Sequence, residues 1–495
     1  MKEIKGVAFD SSEYSDTNFL YSNKLVDTPT ISANLTYLYG RDEQMFPLTY
    51  MTEGQGLFTS TKPLKLNDSQ YTWDVMGRMK FTSPVKKLAN NALVKPGLGF
   101  QPFQVVMSDN WFIGKYGAVS PDHKHQVRIE GEPQRLGVNE YLYTFRIVGS
   151  DASEFVGLDN FTEGAFWSMA APAAPLSKSD GNRSNRMTPG KLTNQFGLYR
   201  YSDLIAGNIA NKVTNIEFDG GRLWMPEQMR QFEIGRRVMN ENEAWYSEYN
   251  RDEFGRITTI DEETGEEVPK AAGVKQIIRE AGNYNTYTNL SIDLIDSIIN
   301  RLFVNRVDGG KDNIVLYTGQ GGIRQFNKAL MDTSLGKGYF ERLGQAEIKE
   351  ISGGLQYGNY FVAYRDINNR IITVAHNKFF DFGPRADQDR ANGRMVDQLP
   401  LESYNMVFLD HGTNSDGERN LIQVKEQGRE YVVGVYEGMS PLPAVWKAAT
   451  SIHKGTRKDI ATYEVMETNS YCMLNDTTSF WLEKSWMGDA VAMAQ

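Results

Sequence analysis

The stretch SIDLIDSIINRLF (291–303) sets Ile292, Ile295, Ile298, Ile299 and Leu302 on one stripe of helical period. That pattern predicts an amphipathic helix packed against a core. Ser291 stands where an N-cap is wanted, and Asp293 and Asp296 lie near the positive end of the helix. A longer helix is predicted over PEQMRQFEIGRRVMNENEAWYSEYN (226–250), where Met229, Phe232, Met239, Trp245, Tyr246 and Tyr249 roughly keep helical spacing. Pro226 suits the first helical position, and Gly235 weakens the helix slightly. At about 1.5 Å per residue this helix is ~37 Å long, enough for a structural spine.

Elsewhere the period is two. Tyr141, Tyr143 and Phe145 alternate with Leu142, Thr144 and Arg146, so 125–149 reads as strand with aromatics on one face. FQVVMSDNWFIGKYGAV (103–119) is β-rich as well. YFVAYRD and RIITVAH (360–376) predict a hairpin across Ile367-Asn368-Asn369. NMVFLD (405–410), NLIQVKE (420–426), EYVVGVYEG (430–438) and the tail 462–484 predict further strands. RITTIDEETGEEVPK (256–270) predicts a hairpin with an acidic, solvated tip. Residues 172–193 are a loop by composition, locally basic at Lys178, Arg183, Arg186 and Lys191. Residues 1–50 are polar and irregular, an arm that packs on something else or a mobile tail. The expected fold class is α+β, with strands more numerous than helices.

Composition narrows the function classes. A chain of 495 residues is long for one core and predicts two or more subdomains or one elaborated fold. Its 25 Tyr, 25 Phe and 8 Trp argue against wholesale disorder. With 53 basic against 62 acidic side chains, the net charge of −9 argues against a dedicated nucleic-acid binder. The single cysteine, Cys472, excludes an intrachain disulfide and a cysteine-cluster metal site, and it reads as a buried small hydrophobe. The N-terminal MKEIKGVAFDSSEYSD has no signal-peptide pattern, and no run approaches the ~20 apolar residues of a membrane helix, so a soluble protein is expected.

Candidate chemistry centres on NIVLYTGQGGIRQFNKALMD (313–332), an apolar run, a glycine turn and a helical pattern. A phosphate-cradling P-loop needs a lysine and a hydroxyl after its glycines, and neither follows here. The dinucleotide fingerprint would put its third glycine at Arg324; Glu341 stands near the ribose-binding position, but no parallel βαβ pattern is expected around it. The reading favoured is a tight strand-to-helix turn at Thr318, Gly319, Gly321 and Gly322, with Ile323, Phe326 and Leu330 pinning the helix to the core. DHKH (122–125) reads as a surface turn, not a metal pair, and DHGTNSDGERN (410–420) lacks the spacing of a calcium loop. No G-x-S-x-G or H-E-x-x-H is present, so no catalytic, cofactor-binding or metal residues are assigned.

LYTGQGGIRQFNKAL (316–330) resembles a segment of tailed-bacteriophage major capsid proteins, and 218–249 resembles their spine-helix region. The similarity runs toward the crAss-like phages and is best over 195–440. It implies an N-terminal arm (1–50) and an extended β-hairpin loop within 51–194, with room for an insertion. It further implies a peripheral domain (195–284) with spine helix 226–250, an axial domain (285–390), and strands completing the core (391–495). By the same resemblance the chain self-assembles into hexamers and pentamers of an icosahedral shell around double-stranded DNA. It is then no enzyme and needs no cofactor. It sits in the virion capsid after assembly in the bacterial cytoplasm, with portal, scaffold and auxiliary or head-fibre proteins as partners. DNA is enclosed without sequence-specific binding, and no membrane is involved. The rival readings are a tail or sheath component and a carbohydrate-active enzyme with two carboxylates in a cleft.

Overall fold

The computed structural model describes residues 46–52, 62–77, 79–90, 93–173, 185–206, 213–218, 221–304, 314–331, 340–342, 361–366, 371–412, 418–439, 452–454 and 458–486. The expected arm (1–50) therefore lies almost wholly outside the described residues. The chain divides into two units, 74–191 and the remainder.

The smaller unit contains a closed barrel of six strands. These are β1 (Thr82–Leu88), β2 (Phe103–Met107), β3 (Gly117–Val119), β4 (Gln126–Gly137), β5 (Glu140–Val148) and β6 (Phe166–Ala170). They close in the order β1–β2–β5–β4–β3–β6. The alternation read at 141–146 sets the barrel interior. Tyr143 and Phe145 are buried, whereas Arg146 is exposed. Inside, Phe145 lies 5.1 Å from Trp167 and meets Phe103 edge-on at 5.9 Å. Closure leaves the barrel strands no long open edge.

The larger unit begins at α1 (Pro47–Thr52) and the short strand Leu64–Leu66. It continues through β7 (Gly197–Ala206), α2 (Trp224–Tyr246), α3 (Val274–Glu280), β8 (Tyr284–Tyr287), α4 (Ile292–Val304), β9 (Ile314–Thr318) and α5 (Gln320–Met331). Then follow β10 (Phe340–Arg342), β11 (Phe361–Asp366), β12 (Ile371–His376), α6 (Phe379–Phe382) and α7 (Pro384–Ala391). β13 (Met406–Asp410), β14 (Leu421–Glu426), β15 (Val432–Glu437), β16 (Ile452–Lys454), β17 (Ile460–Met473) and β18 (Phe480–Lys484) complete it.

Seven strands form one sheet in the order β8–β18–β13–β9–β12–β11–β10. Both faces are covered, which explains why its central strands read as unbroken apolar runs. Ile314, Leu316, Met406, Phe408, Phe480 and Leu482 turn to α4 and α5 on one side. Val315, Tyr317, Val407, Leu409 and Trp481 turn to the end of α2, to α3 and to α6 on the other. In α4, Ile295, Ile298, Ile299 and Leu302 are buried, and the Ser291 hydroxyl accepts the N–H of Leu294 at 3.2 Å.

The second sheet runs from Leu64–Leu66 through β14, β17 and β15 to β16, with β7 also paired to β17. Helix α2 lies on it: Phe232 meets Tyr463 edge-on at 5.6 Å, and Arg236 pairs with Glu467 at 2.8 Å.

Several expectations need correction. Helix α2 starts at Trp224 and ends at Tyr246, not Asn250. Pro226 is its third residue, still within the turn whose N–H groups have no intrahelical partner. Beyond Tyr246 the chain is drawn off the helix: Ser247 O accepts Gly273 N at 2.8 Å, and Tyr249 N donates to Gln276 Oε1 at 2.6 Å. Residues 256–270 hold isolated bridges rather than hairpin strands. Asp252 and Asp261 take neighbouring backbone N–H groups and turn the chain on themselves. Gly190–Gln195, the end of the expected loop, is a strand; 174–184 lie outside the described residues. Lastly, β9 and β12 are parallel, against the expectation of no parallel βαβ pattern near Glu341. β11 and β12 do form an antiparallel hairpin, its turn outside the described residues. The second strand of that hairpin, not the first, returns beside β9.

Candidate functional site

The glycine turn joins β9 to α5, and each glycine is required by proximity. A Cβ on Gly319 would lie 2.7 Å from Asp381 Oδ1 and 2.8 Å from the Ser403 backbone. On Gly321 it would lie 2.7 Å from the Tyr404 ring, and on Gly322 1.8 Å from Thr318 Oγ1. The turn thus sits pressed against residues 381 and 403–404, which no local pattern connects to it.

Those residues fill the place an anion would take. The Asp381 carboxylate accepts Gln320 N at 3.0 and 3.2 Å, at the start of α5. Ser403 Oγ accepts Gly321 N at 2.8 Å and donates to Asp381 Oδ1 at 2.6 Å. His376 Nε2 lies 2.6 Å from Asp381 Oδ2, and Arg390 donates to the Asp381 carbonyl. A helix N-terminus favours negative charge, and here the chain supplies its own. The serine, histidine and aspartate are brought together in the wrong order for nucleophilic catalysis. Ser403 hydrogen-bonds the carboxylate rather than the imidazole, and it is fully buried.

Thr318 is fully buried, and its hydroxyl has no hydrogen-bond partner among the described residues. Phe326 is fully buried, edge-on to Tyr364 at 5.7 Å. Leu330 is buried in the same cluster and Ile323 packs against it. Asp381, Ser403, His376 and Tyr404 escaped the sequence reading, because their signal is spatial.

The other candidates separate. DHKH is a turn in which His123 takes a left-handed backbone (φ 57°) and Asp122 accepts from the Ser120 hydroxyl at 2.5 Å. Among the described residues no group of three or more His, Cys, Asp or Glu side chains is placed to hold a metal. Burial pushes the Cys472 thiol up to about 12, so it stays protonated and inert. In 410–420 the described Asn420 side chain donates to Asn475 O at 3.1 Å and Thr478 Oγ1 at 3.3 Å.

A charged cluster lies where α2 ends. Glu402 is buried, its pKa raised to about 8 by desolvation and then by the neighbouring Glu483 carboxylate. It accepts from Tyr246 Oη and from Asn405 Nδ2. Glu483 pairs with Lys275 at 2.5 Å, and Arg385 stacks 4.0 Å over the Tyr246 ring. These contacts join α2, α3, α7 and β18.

A model of the Crassvirus major capsid protein family matches residues 13–485. The chain belongs to that family. It is therefore a structural subunit of a phage capsid, not an enzyme, and it assembles with other copies in the virion shell. The chain is similar to the major capsid protein of Bacteroides phage crAss001, 23% identical over 348 residues, 64% of this chain and 68% of the relative. Solved structures resemble it loosely. One from Microbacterium phage Oxtober96 is 9% identical over 95% of this chain and 100% of its own, with a TM-score of 0.35. One from Mycobacterium phage Bobi is 8% identical over 95% and 99%, with a TM-score of 0.34. The family assignment rests on the match along the sequence. The α+β fold of the capsid subunit is read from that match and from the two sheets and their helices.

Proposed function

We propose that the subunit tiles an icosahedral shell as hexamers and pentamers and encloses double-stranded DNA without sequence-specific contacts. The family match over residues 13–485 carries this reading. Exposed apolar side chains on the smaller unit support it, among them Phe81, Val138 and Phe166, since a shell subunit is bounded by copies of itself. The net charge of −9 suits a container that must not hold DNA tightly.

In this reading residues 1–50 are the arm and 195–284 the peripheral domain, with α2 as its spine helix. Residues 285–390 are the axial domain, and 391–495 complete the core. The extended loop belongs to 51–194, with the six-stranded barrel as its insertion. Thr318, Gly319, Gly321, Gly322 and Phe326 form a structural turn. Portal, scaffold and auxiliary or head-fibre proteins are the heterologous partners, and assembly takes place in the host cytoplasm.

Negative-stain electron microscopy of the concentrated protein, expressed with and without its phage's scaffold, tests the reading. Closed polyhedra or five- and six-membered rings are expected. Open helical tubes would overturn it in favour of a tail component.

A further inference from the structure

Helix α1 has six residues, far below the length at which an isolated helix holds in water. It is helical because it is docked. Its dock is the C-terminal third of α2, where Glu241 is fully buried. The Glu241 carboxylate accepts Leu48 N at 3.0 Å, Thr49 N at 2.9 Å, Thr49 Oγ1 at 2.7 Å and Trp245 Nε1 at 2.8 Å. Three of those four donors come from one segment about 190 residues away. Leu48 is itself fully buried, in the apolar cluster that holds Trp245, Tyr317, Leu421 and Trp481. The Thr52 hydroxyl closes the helix by donating to Leu48 O at 2.9 Å.

Two penalties coincide if the segment leaves. A buried carboxylate keeps one donor of four, and a leucine-sized void opens beside Trp245. The Leu48 N–H and side chain belong to one residue and the two Thr49 donors to the next, so both penalties arise from one short stretch of backbone.

We propose that Phe46–Thr52 is a strap that seats on α2 as an all-or-none unit, with the slot around Glu241 as its receptor. Seating locks α2 to the core. Glu241 positions the strap; Leu48 fills the slot. The inference rests on contacts within one chain and holds for a free subunit, whatever rings the subunits form.

Hydrogen exchange on the full-length protein tests it. In the wild type, peptides covering 46–52 and 241–245 are expected to exchange together and slowly. Glu241→Gln puts an amide donor where donors already converge, and the strap amides are then expected to exchange at least about tenfold faster, with barrel peptides unchanged. If that variant does not fold, Thr49→Val removes one strap donor and leaves the carboxylate, and faster exchange confined to the strap is expected. Strap amides exchanging at the free-chain rate in the wild type would overturn the proposal. So would full protection retained in the variant that folds.

Discussion

Asp381 and Gln320 are 61 residues apart in sequence and 3.0 Å apart in space, carboxylate oxygen to backbone nitrogen. The contact puts a protein carboxylate on the N-terminus of α5, at the turn whose glycines resemble a phosphate loop. The turn is closed by the chain itself.

Removing that carboxylate has a measurable cost. Asp381→Ala leaves Gln320 N, Ser403 Oγ and His376 Nε2 without their acceptor. A loss of about 2–4 kcal/mol is expected, read from urea unfolding of the subunit. Nucleotides added to the wild type are expected to leave its melting temperature unchanged.

The glycines differ in what they tolerate. Gly321→Ala drives a methyl into the Tyr404 ring and is expected to destabilise by about 1–3 kcal/mol. Gly235, inside α2, has nothing within 4 Å of an added Cβ. Gly235→Ala is expected to stabilise by about 0.5–1 kcal/mol, since alanine favours the helix. Thermal unfolding of the two variants should therefore shift in opposite directions.

Stability should fall as pH rises through neutrality. Burial and Glu483 raise Glu402 to about 8 in the folded state, above its value near 4.5 when unfolded. The folded protein therefore keeps a proton that the unfolded chain releases. The resulting stabilisation is complete below about pH 4.5 and is lost progressively until about pH 8. Around Glu402 stand Tyr246, Asn405, Asp389 and Glu483, with Lys275 paired to Glu483. Glu402→Gln mimics the protonated form and is expected to flatten melting temperature against pH across this window. A variant with the same slope as the wild type would refute the assignment.

The ion pair of Arg236 and Glu467 lies between α2 and β17, with both side chains largely buried. Asn240 Nδ2 also donates to Glu467 at 2.6 Å. Arg236→Ala strands the carboxylate and is expected to cost about 3–5 kcal/mol. The double variant Arg236→Met with Glu467→Gln is expected to recover most of that loss. Chemical denaturation of the single and double variants measures the coupling.

The glycine turn was legible in the sequence only as a turn. Thr318 to Phe326 announced a strand leading into a helix, and missing residue types argued against a phosphate site. What closes the turn was not legible, because nothing near Gly319 points to Asp381 or Ser403. The same holds for the sheet. The hairpin of β11 and β12 follows from local alternation, but its parallel return beside β9 does not.

Sequence by itself determined the periodic elements: the apolar stripe of α4, the aromatic alternation of β5, the existence of a long α2. It also determined the resemblance that the family match later bore out. Such features depend on spacing within a dozen residues, where backbone geometry dictates which side chains share a face. Tertiary structure alone decided the end of α2 at Tyr246, the barrel closure of β1 with β6, the Asp381 cap and the slot where Glu241 receives Leu48. Each depends on a buried polar group finding its partner across a long stretch of chain. That partner is fixed only once the layers pack and water is gone.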